Sequence, residues 1–354
     1  MSLKTFERIL RSFDLKHQFP GHIHLHTIDL HTCGEPLRVL TKGGPKFTSD
    51  SVLGKRREMR DQHDWIRQAL MYEPRGHADM YGCLLTAPDR PDSDFGVIFM
   101  HNEGYSTMCG HAIIALAKLA EELDWKDSAS KGQALRIDAP CGQVESIMSA
   151  ESDPEFLYSF QGVPSFVLET DQLLNVPGYG RISFDIAFGG AFYAYVDADH
   201  IDLKLSKHNA ANINRLGKLI KSIIKQQGTK ITHPYEADLS FLYGVIFYSR
   251  KVHMASDYRN VCVFADGEID RSPTGSGFCG MLALLSHKND LPRGKSLIIE
   301  SIIGSRFSGH VKNRLSYAGF SAIIPIVSGS AYITGRHQFL IDPKDPMKNG
   351  FLLR

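Results

Sequence analysis

Two short segments carry residue types from which an active site can be built. In the first, Tyr105–Leu119 (YSTMCGHAIIALAKL), Cys109 stands just before an apolar run at helical spacing, Ile113, Leu116, Ala117 and then Ala120. A cysteine there faces unpaired backbone N–H groups and the positive end of the helix, which lowers the thiol pKa and favours the thiolate. A thiolate can act as a nucleophile or as a general base. The neighbours Ser106, Thr107, Gly110 and His111 are too polar for a simple core cysteine, although the sequence does not assign His111 as its base. In the second segment, Arg271–Leu285 (RSPTGSGFCGMLALL), Thr274 takes the place of the cysteine. Gly275, Ser276 and Gly277 offer N–H groups to an anion, and Gly110 and His111 do the same in the first loop. No lysine lies inside the second loop, which suits a single carboxylate better than a phosphate chain. Two such helix starts placed face to face would grip a carboxylate from both sides, and Asp270 would receive an ammonium. The constellation reads as an amino-acid site with a thiolate base against Cα.

The elements that must position these residues follow from the periodicity. The strand-like alternation HIHLHTIDLH (22–31) is followed by turn chemistry and a polar helical stretch over 48–71. FGVIFMHNEG reads as a strand leading into the Cys109 helix. Residues 133–198 are mostly strands, and a helix over 209–227 carries Ile213, Leu216, Leu219, Ile220 and Ile223 in register. Further strands (LYGVIFYS, NVCVFADG) precede the Thr274 helix. Few helices among many short strands indicate an α+β protein rather than a doubly wound sheet. Cys109 and Thr274 lie about half the chain apart, so a duplicated domain with paired helix starts facing one cleft would produce the pattern.

Composition narrows the partners. The 354 residues include 40 Lys+Arg against 39 Asp+Glu and are 43% hydrophobic, values of an ordinary globular chain with no basic patch for nucleic acid. No apolar run reaches membrane-spanning length. The N-terminus reads as an amphipathic helix (Phe6, Ile9, Leu10, Phe13) rather than a signal peptide, and the six cysteines form no CxxC pair. A cytoplasmic protein with a small-molecule substrate is expected, with no nucleic-acid or membrane partner; a homodimer is compatible with the chain. Cys83, Cys262 and Cys279 read as core, and Cys33 and Cys141 as turn residues. His22, His24 and His26 alternate as a metal site on a strand would, but nothing nearby completes the ligand set and a solvated strand face is the better reading; no metal site is expected. Arg75 and His77 would bind a carboxylate or brace a loop, with the two readings equally weighted.

These residues resemble those of the proline racemase superfamily. The resemblance covers nearly the whole chain in seven ordered blocks: DLHTCGEPLRVL, EPRGHADMYG, GYSTMCGH, AFGGAFYAYVDA, DRSPTGSG, ESIIGSRFSGHV and SAYITGRHQFLIDPKDP. It implies two pseudo-symmetric α+β domains of the proline racemase/diaminopimelate epimerase type, each a strand-rich layer wrapped around a central helix, with the site in the cleft between them. The implied division is 1–180 plus 337–354, carrying Cys109, and 181–336, carrying Asp270 and Thr274. It further implies that Gly110, His111, Gly275 and Ser276 bind the carboxylate and that Asp270 and the His111 side chain hold the ring nitrogen. Phe264 would form part of an apolar wall, although an ordinary core phenylalanine fits equally well. Racemases of this family set two cysteines on opposite faces of Cα, and Cys109 matches the first. Thr274 stands at the second position, and a threonine hydroxyl is too weak an acid or base to replace a thiol. The Cys-to-Thr pattern resembles the trans-3-hydroxy-L-proline dehydratases, cofactor-independent hydro-lyases that form Δ1-pyrroline-2-carboxylate. The alternatives are a proline racemase or hydroxyproline epimerase and, in another class, a non-catalytic amino-acid-binding protein. Cys33 departs from the family, where glycine is common.

Overall fold

The computed structural model describes residues 19–125, 134–148, 153–252, 255–291 and 295–353; the expected N-terminal helix lies outside them. The first half contains β1 (Ile23–Thr32), β2 (Glu35–Lys42), α1 (Val52–Gln62), α2 (Asp64–Met71), β3 (Tyr81–Thr86), β4 (Phe95–His101), α3 (Gly110–Glu122), β5 (Leu135–Ala139) and β6 (Gly142–Met148). Two strands then cross over, β7 (Tyr158–Gln161) and β8 (Ser165–Val176). The second half contains β9 (Gly180–Phe188), β10 (Phe192–Asp197), α4 (Ala210–Gln226), β11 (Leu242–Ser249), β12 (Tyr258–Phe264), a short β13 (Glu268–Ile269), α5 (Gly275–His287), β14 (Leu297–Glu300) and β15 (Arg306–Tyr317). The chain closes with β16 (Phe320–Gly329) and β17 (Ala331–Ile341).

Strand pairing makes the duplication explicit. From β1 to β6, successive pairs run antiparallel, parallel, antiparallel, parallel, antiparallel. The series β9, β10, β11, β12, β14, β15 repeats that order. In each series a helix precedes the third strand, and α3 or α5 precedes the fifth. Strand β16 joins the halves: its start pairs with β8 and its end with β7, while its other edge holds β15. Strand β17 returns to lie along β1. The implied boundary at residue 180 falls at the turn of the β8–β9 hairpin, whose strands pair along most of their length.

The helices show why each sits where it does. In α5 every residue from Gly275 to Ser286 is buried, and α3 is nearly as enclosed. A helix that is apolar all round must be surrounded, and the strands of each half supply the wrapping. By contrast, α4 buries only the stripe Ile213, Leu216, Gly217, Ile220 and Ile224. One hydrophobic cluster runs through both halves, and a smaller one lies under α1 and α2. No helix among the described residues is long and apolar enough to cross a membrane.

Candidate active site

The two central helices meet end to end. A Cβ added to Gly110 would lie 2.6 Å from Gly275 Cα, and one added to Gly275 would lie 2.7 Å from Gly110 Cα. Only glycine at the first position of both helices permits this approach. It turns two sets of unpaired backbone N–H groups toward one small volume, a geometry suited to a carboxylate.

The residues capping these helices differ. Cys109 has extended backbone (φ −148°, ψ 101°), and its Sγ accepts the Ala112 N–H at 3.4 Å, so the sulfur acts as the helix cap. Thr274 lies in the left-handed region (φ 58°, ψ 86°) and makes no side-chain cap. That conformation is costly for a β-branched residue. Several bonds hold it: Thr274 N–H donates to Ser272 Oγ (3.2 Å), Ser272 N–H to Asp270 Oδ1 (2.7 Å), and Asn260 Nδ2 to the Pro273 carbonyl (2.9 Å).

A narrow cavity lies where the helices meet. It is lined by all eight residues singled out from the sequence: Cys109, Gly110, His111, Phe264, Asp270, Thr274, Gly275 and Ser276. Both ring nitrogens of His111 stand close to Cys109 Sγ, Nδ1 at 3.2 Å and Nε2 at 3.5 Å. Thr32 Oγ1 donates to the His111 carbonyl at 2.7 Å, tying the β1 end to the helix start.

Burial governs the electrostatics. It pushes the Cys109 thiol well above its usual range, while the Ala112 N–H and the nearby Tyr81 hydroxyl pull it down by less. The lowered thiol pKa expected from sequence is thereby corrected, because desolvation of the buried thiol outweighs the helix terminus. Burial also pushes His111 down to about 3, leaving the ring neutral. Asp270 is pushed up to about 6 by burial, opposed by its hydrogen bonds to Ser272 and by Thr274. At neutral pH its unpaired carboxylate therefore costs roughly 3 kcal/mol, which a substrate cation would offset. Thr274 Oγ1 stands beside that carboxyl yet makes no hydrogen bond of sound geometry.

The sequence did not point to five further residues. Tyr81, Tyr193, Tyr243 and Cys262 line the same cavity. Tyr193 OH and Ser276 Oγ are hydrogen-bonded at 2.8 Å. Cys262 is fully buried, as a core residue would be, yet it forms part of the cavity wall. The fifth is Glu35, which accepts the Arg271 N–H at 2.8 Å and its guanidinium at 3.4 Å, bracing the Asp270 loop from β2. Burial and the Asp270 charge push the Glu35 carboxyl well above the usual carboxylate range. Its place in the CGEP block was the only available signal.

The remaining sequence candidates lie outside the cavity lining. Arg75 donates to the carbonyls of Ala69 (2.7 Å) and Met347 (3.3 Å), so it braces a loop. Among the described residues no three His, Cys, Asp or Glu side chains group as metal ligands. Cys33 has φ 52°, a left-handed turn geometry that glycine adopts more readily.

Comparison with known proteins agrees with this architecture. A trans-3-hydroxy-L-proline dehydratase of Colwellia psychrerythraea is 46% identical over 334 residues, covering 94% of each chain. A 3-hydroxyproline 2-epimerase of Burkholderia multivorans is 41% identical over 330 residues, covering 93% of this chain and 98% of that one. The crystal structure of a hydroxyproline epimerase from Agrobacterium vitis, with bound trans-4-hydroxy-L-proline, superposes with a TM-score of 0.85 at 28% identity, covering 94% and 96% of the two chains. The family described as proline racemase matches residues 27–352, and the chain belongs to it.

Proposed function

We infer that this chain is a hydro-lyase that converts trans-3-hydroxy-L-proline to Δ1-pyrroline-2-carboxylate and water. The observation that carries the reading is the unlike pair of caps across one cavity, a thiol at Cys109 and a hydroxyl at Thr274. The dehydratase name of the 46% identical relative supports it.

The substrate carboxylate sits between the helix starts, on N–H groups of Gly110, His111, Gly275 and Ser276. Its ring ammonium pairs with Asp270, and Phe264 walls the ring. In trans-3-hydroxy-L-proline the hydroxyl and carboxylate lie on opposite ring faces, so the α-hydrogen shares a face with the hydroxyl. One base then suffices. The ring ammonium places positive charge near Cys109 and favours its thiolate, the thiol proton passing to solvent, and the neutral His111 ring stays within hydrogen-bonding reach of the sulfur. The thiolate takes the α-proton, and the electron pair of that bond forms the Cα=C3 bond. Hydroxide leaves C3 on the same face and receives the proton back from Cys109 as water. The enamine then tautomerises to the cyclic imine. Thr274 marks the face where no base is needed, and every step uses groups of this chain alone.

Direct detection of the imine from trans-3-hydroxy-L-proline tests the reading. The epimerase alternative draws on the Burkholderia multivorans relative and on the Cys262 thiol in the cavity wall. Inversion at Cα in D2O without water loss would establish it instead. We place the enzyme in the cytoplasm, since all six of its cysteines are free and suit a reducing compartment.

A further inference from the structure

Three tyrosines line the cavity, and their hydroxyls are not equivalent. The Tyr193 hydroxyl is bonded to Ser276 Oγ, at the Thr274 helix start. The Tyr81 hydroxyl is bonded to Ser106 Oγ, three residues before Cys109. The Tyr243 hydroxyl stands beside Ser106 and Tyr81 and is electrostatically coupled to Cys109. It is buried and makes no hydrogen bond of sound geometry among the described residues, with the Ser106 and Tyr81 hydroxyls as its near neighbours. Its residue is 6% exposed. A buried hydroxyl left without a full partner is unfavourable, so such a group in a cavity wall points to a ligand.

The ring is held in place. It stacks on Phe264 with centroids 5.5 Å apart and planes 20° from parallel, and Tyr193 meets its edge at 5.7 Å. Lys221 Nζ donates to the carbonyls of Tyr243 (2.9 Å) and Ala265 (2.7 Å), fixing the start of β11 against the end of β12. The hydroxyl is thus pre-positioned, as a donor to developing negative charge must be.

Resting on the syn elimination proposed above, the leaving hydroxyl departs on the Cys109 side, where the Tyr81, Ser106 and Tyr243 hydroxyls cluster. We propose that Tyr243 is a further catalytic residue, whose O–H donates to the 3-hydroxyl oxygen of the substrate and stabilises it as the C3–O bond breaks. Tyr243 keeps its proton throughout. The α-hydrogen passes to Cys109 Sγ, its bonding pair becomes the Cα=C3 bond, the C3–O pair leaves on oxygen, and Cys109 supplies the proton that completes water. Burial, with the Glu268 and Cys109 charges, pushes the Tyr243 hydroxyl well above its usual range, so it remains a donor. Tyr81 and Ser106 position it.

The test compares two leaving groups. Tyr243→Phe should lower kcat on trans-3-hydroxy-L-proline about 10²-fold, the worth of one oxyanion donor, yet leave elimination of chloride from trans-3-chloro-L-proline within about threefold of wild type. Chloride departs without needing that hydrogen bond, whereas a general packing defect slows both substrates. Equal losses on both substrates, or no loss on the hydroxyl substrate, overturn the proposal. Tyr81→Phe leaves the Tyr243 hydroxyl in place but removes the hydroxyl that pulls the Cys109 thiol down, so it should slow both substrates alike; a selective loss on the hydroxyl substrate larger than that of Tyr243→Phe would make Tyr81 the donor and overturn the assignment to Tyr243. A wild-type protein that forms no imine from trans-3-hydroxy-L-proline would overturn the underlying reaction, an outcome visible before any variant is made.

Discussion

The starts of α3 and α5 occupy equivalent places in a duplicated fold and meet at their glycines, yet their caps are built differently. At Cys109 the backbone is extended and the side chain accepts a helix N–H. At Thr274 the backbone is left-handed and the side-chain oxygen accepts nothing of sound geometry. One end can therefore hold charge on its cap while the other offers only backbone N–H groups. The imidazole of His111 adjoins Cys109, and the carboxyl of Asp270 adjoins Thr274. In the proposed reaction, the duplicated helix starts share the anion and the unlike caps leave proton transfer to one of them.

Removing the thiol should have the largest effect. Cys109→Ser replaces a group that can ionise with one that cannot near neutral pH, so imine formation should fall by about 10³-fold or more. Binding of substrate, measured by calorimetry, should change little, because in the proposed pose the carboxylate rests on backbone N–H groups. Retained turnover would end the distinction between the two caps.

Asp270 gives the next effect, read through pH. Its carboxyl must be ionised to pair with the ring ammonium, and burial raises it to about 6. The value of kcat/KM should therefore fall about tenfold per unit below pH 6, and Asp270→Asn should remove that limb while raising KM by about 10²-fold. The stability of the free protein runs the opposite way. The native state binds this proton more tightly than the unfolded chain does. The contribution is present below the unfolded value and lost as pH rises through about 6. A bound ammonium reverses that loss, so the rise in Tm on adding substrate should grow between pH 5 and 7. A ligand-induced rise that stays flat over this range would remove Asp270 from the ammonium site.

The helix starts were legible because each is local: a small-residue turn abutting an apolar run states its own conformation. Asp270 was legible for the same reason. Tyr81, Tyr243 and Glu35 were not, since each lies at the edge of a strand among ordinary neighbours; long-range pairing brings the two tyrosines to the cavity and Glu35 to the Asp270 loop. Cys262 shows a further limit. Its setting, NVCVF, is apolar whether it faces a core or a cavity wall. The thiol pKa was misread because sequence displays the helix terminus but not the depth of burial, and burial is the larger effect here.

A smaller effect is expected from restoring the second thiol. Thr274→Cys places an ionisable group on the opposite face of Cα and, lacking a β-branch, relaxes the left-handed cap. Dehydration should fall by about tenfold as protonation on the second face competes, and α-hydrogen exchange of L-proline in D2O with inversion should appear. Unchanged dehydration with no inversion would mean that the Thr274 face has lost more than its thiol.

The smallest effect isolates the caps from the chemistry. In Cys109→Ala a helix loses the acceptor for Ala112 N–H together with a buried sulfur, which should cost about 1–2 kcal/mol. In Thr274→Ala no hydrogen bond is lost, a buried hydroxyl without a partner is removed, and the strain of a β-branched residue at φ 58° is eased. Loss of the buried methyl works against these gains, so stability should stay within about 0.5 kcal/mol of wild type or rise. Thermal unfolding of the two variants at one pH measures the difference directly. Equal destabilisation would mean that Thr274 Oγ1 is bonded in solution, with the Asp270 carboxyl beside it as the available partner, and the two helix starts would then be capped alike.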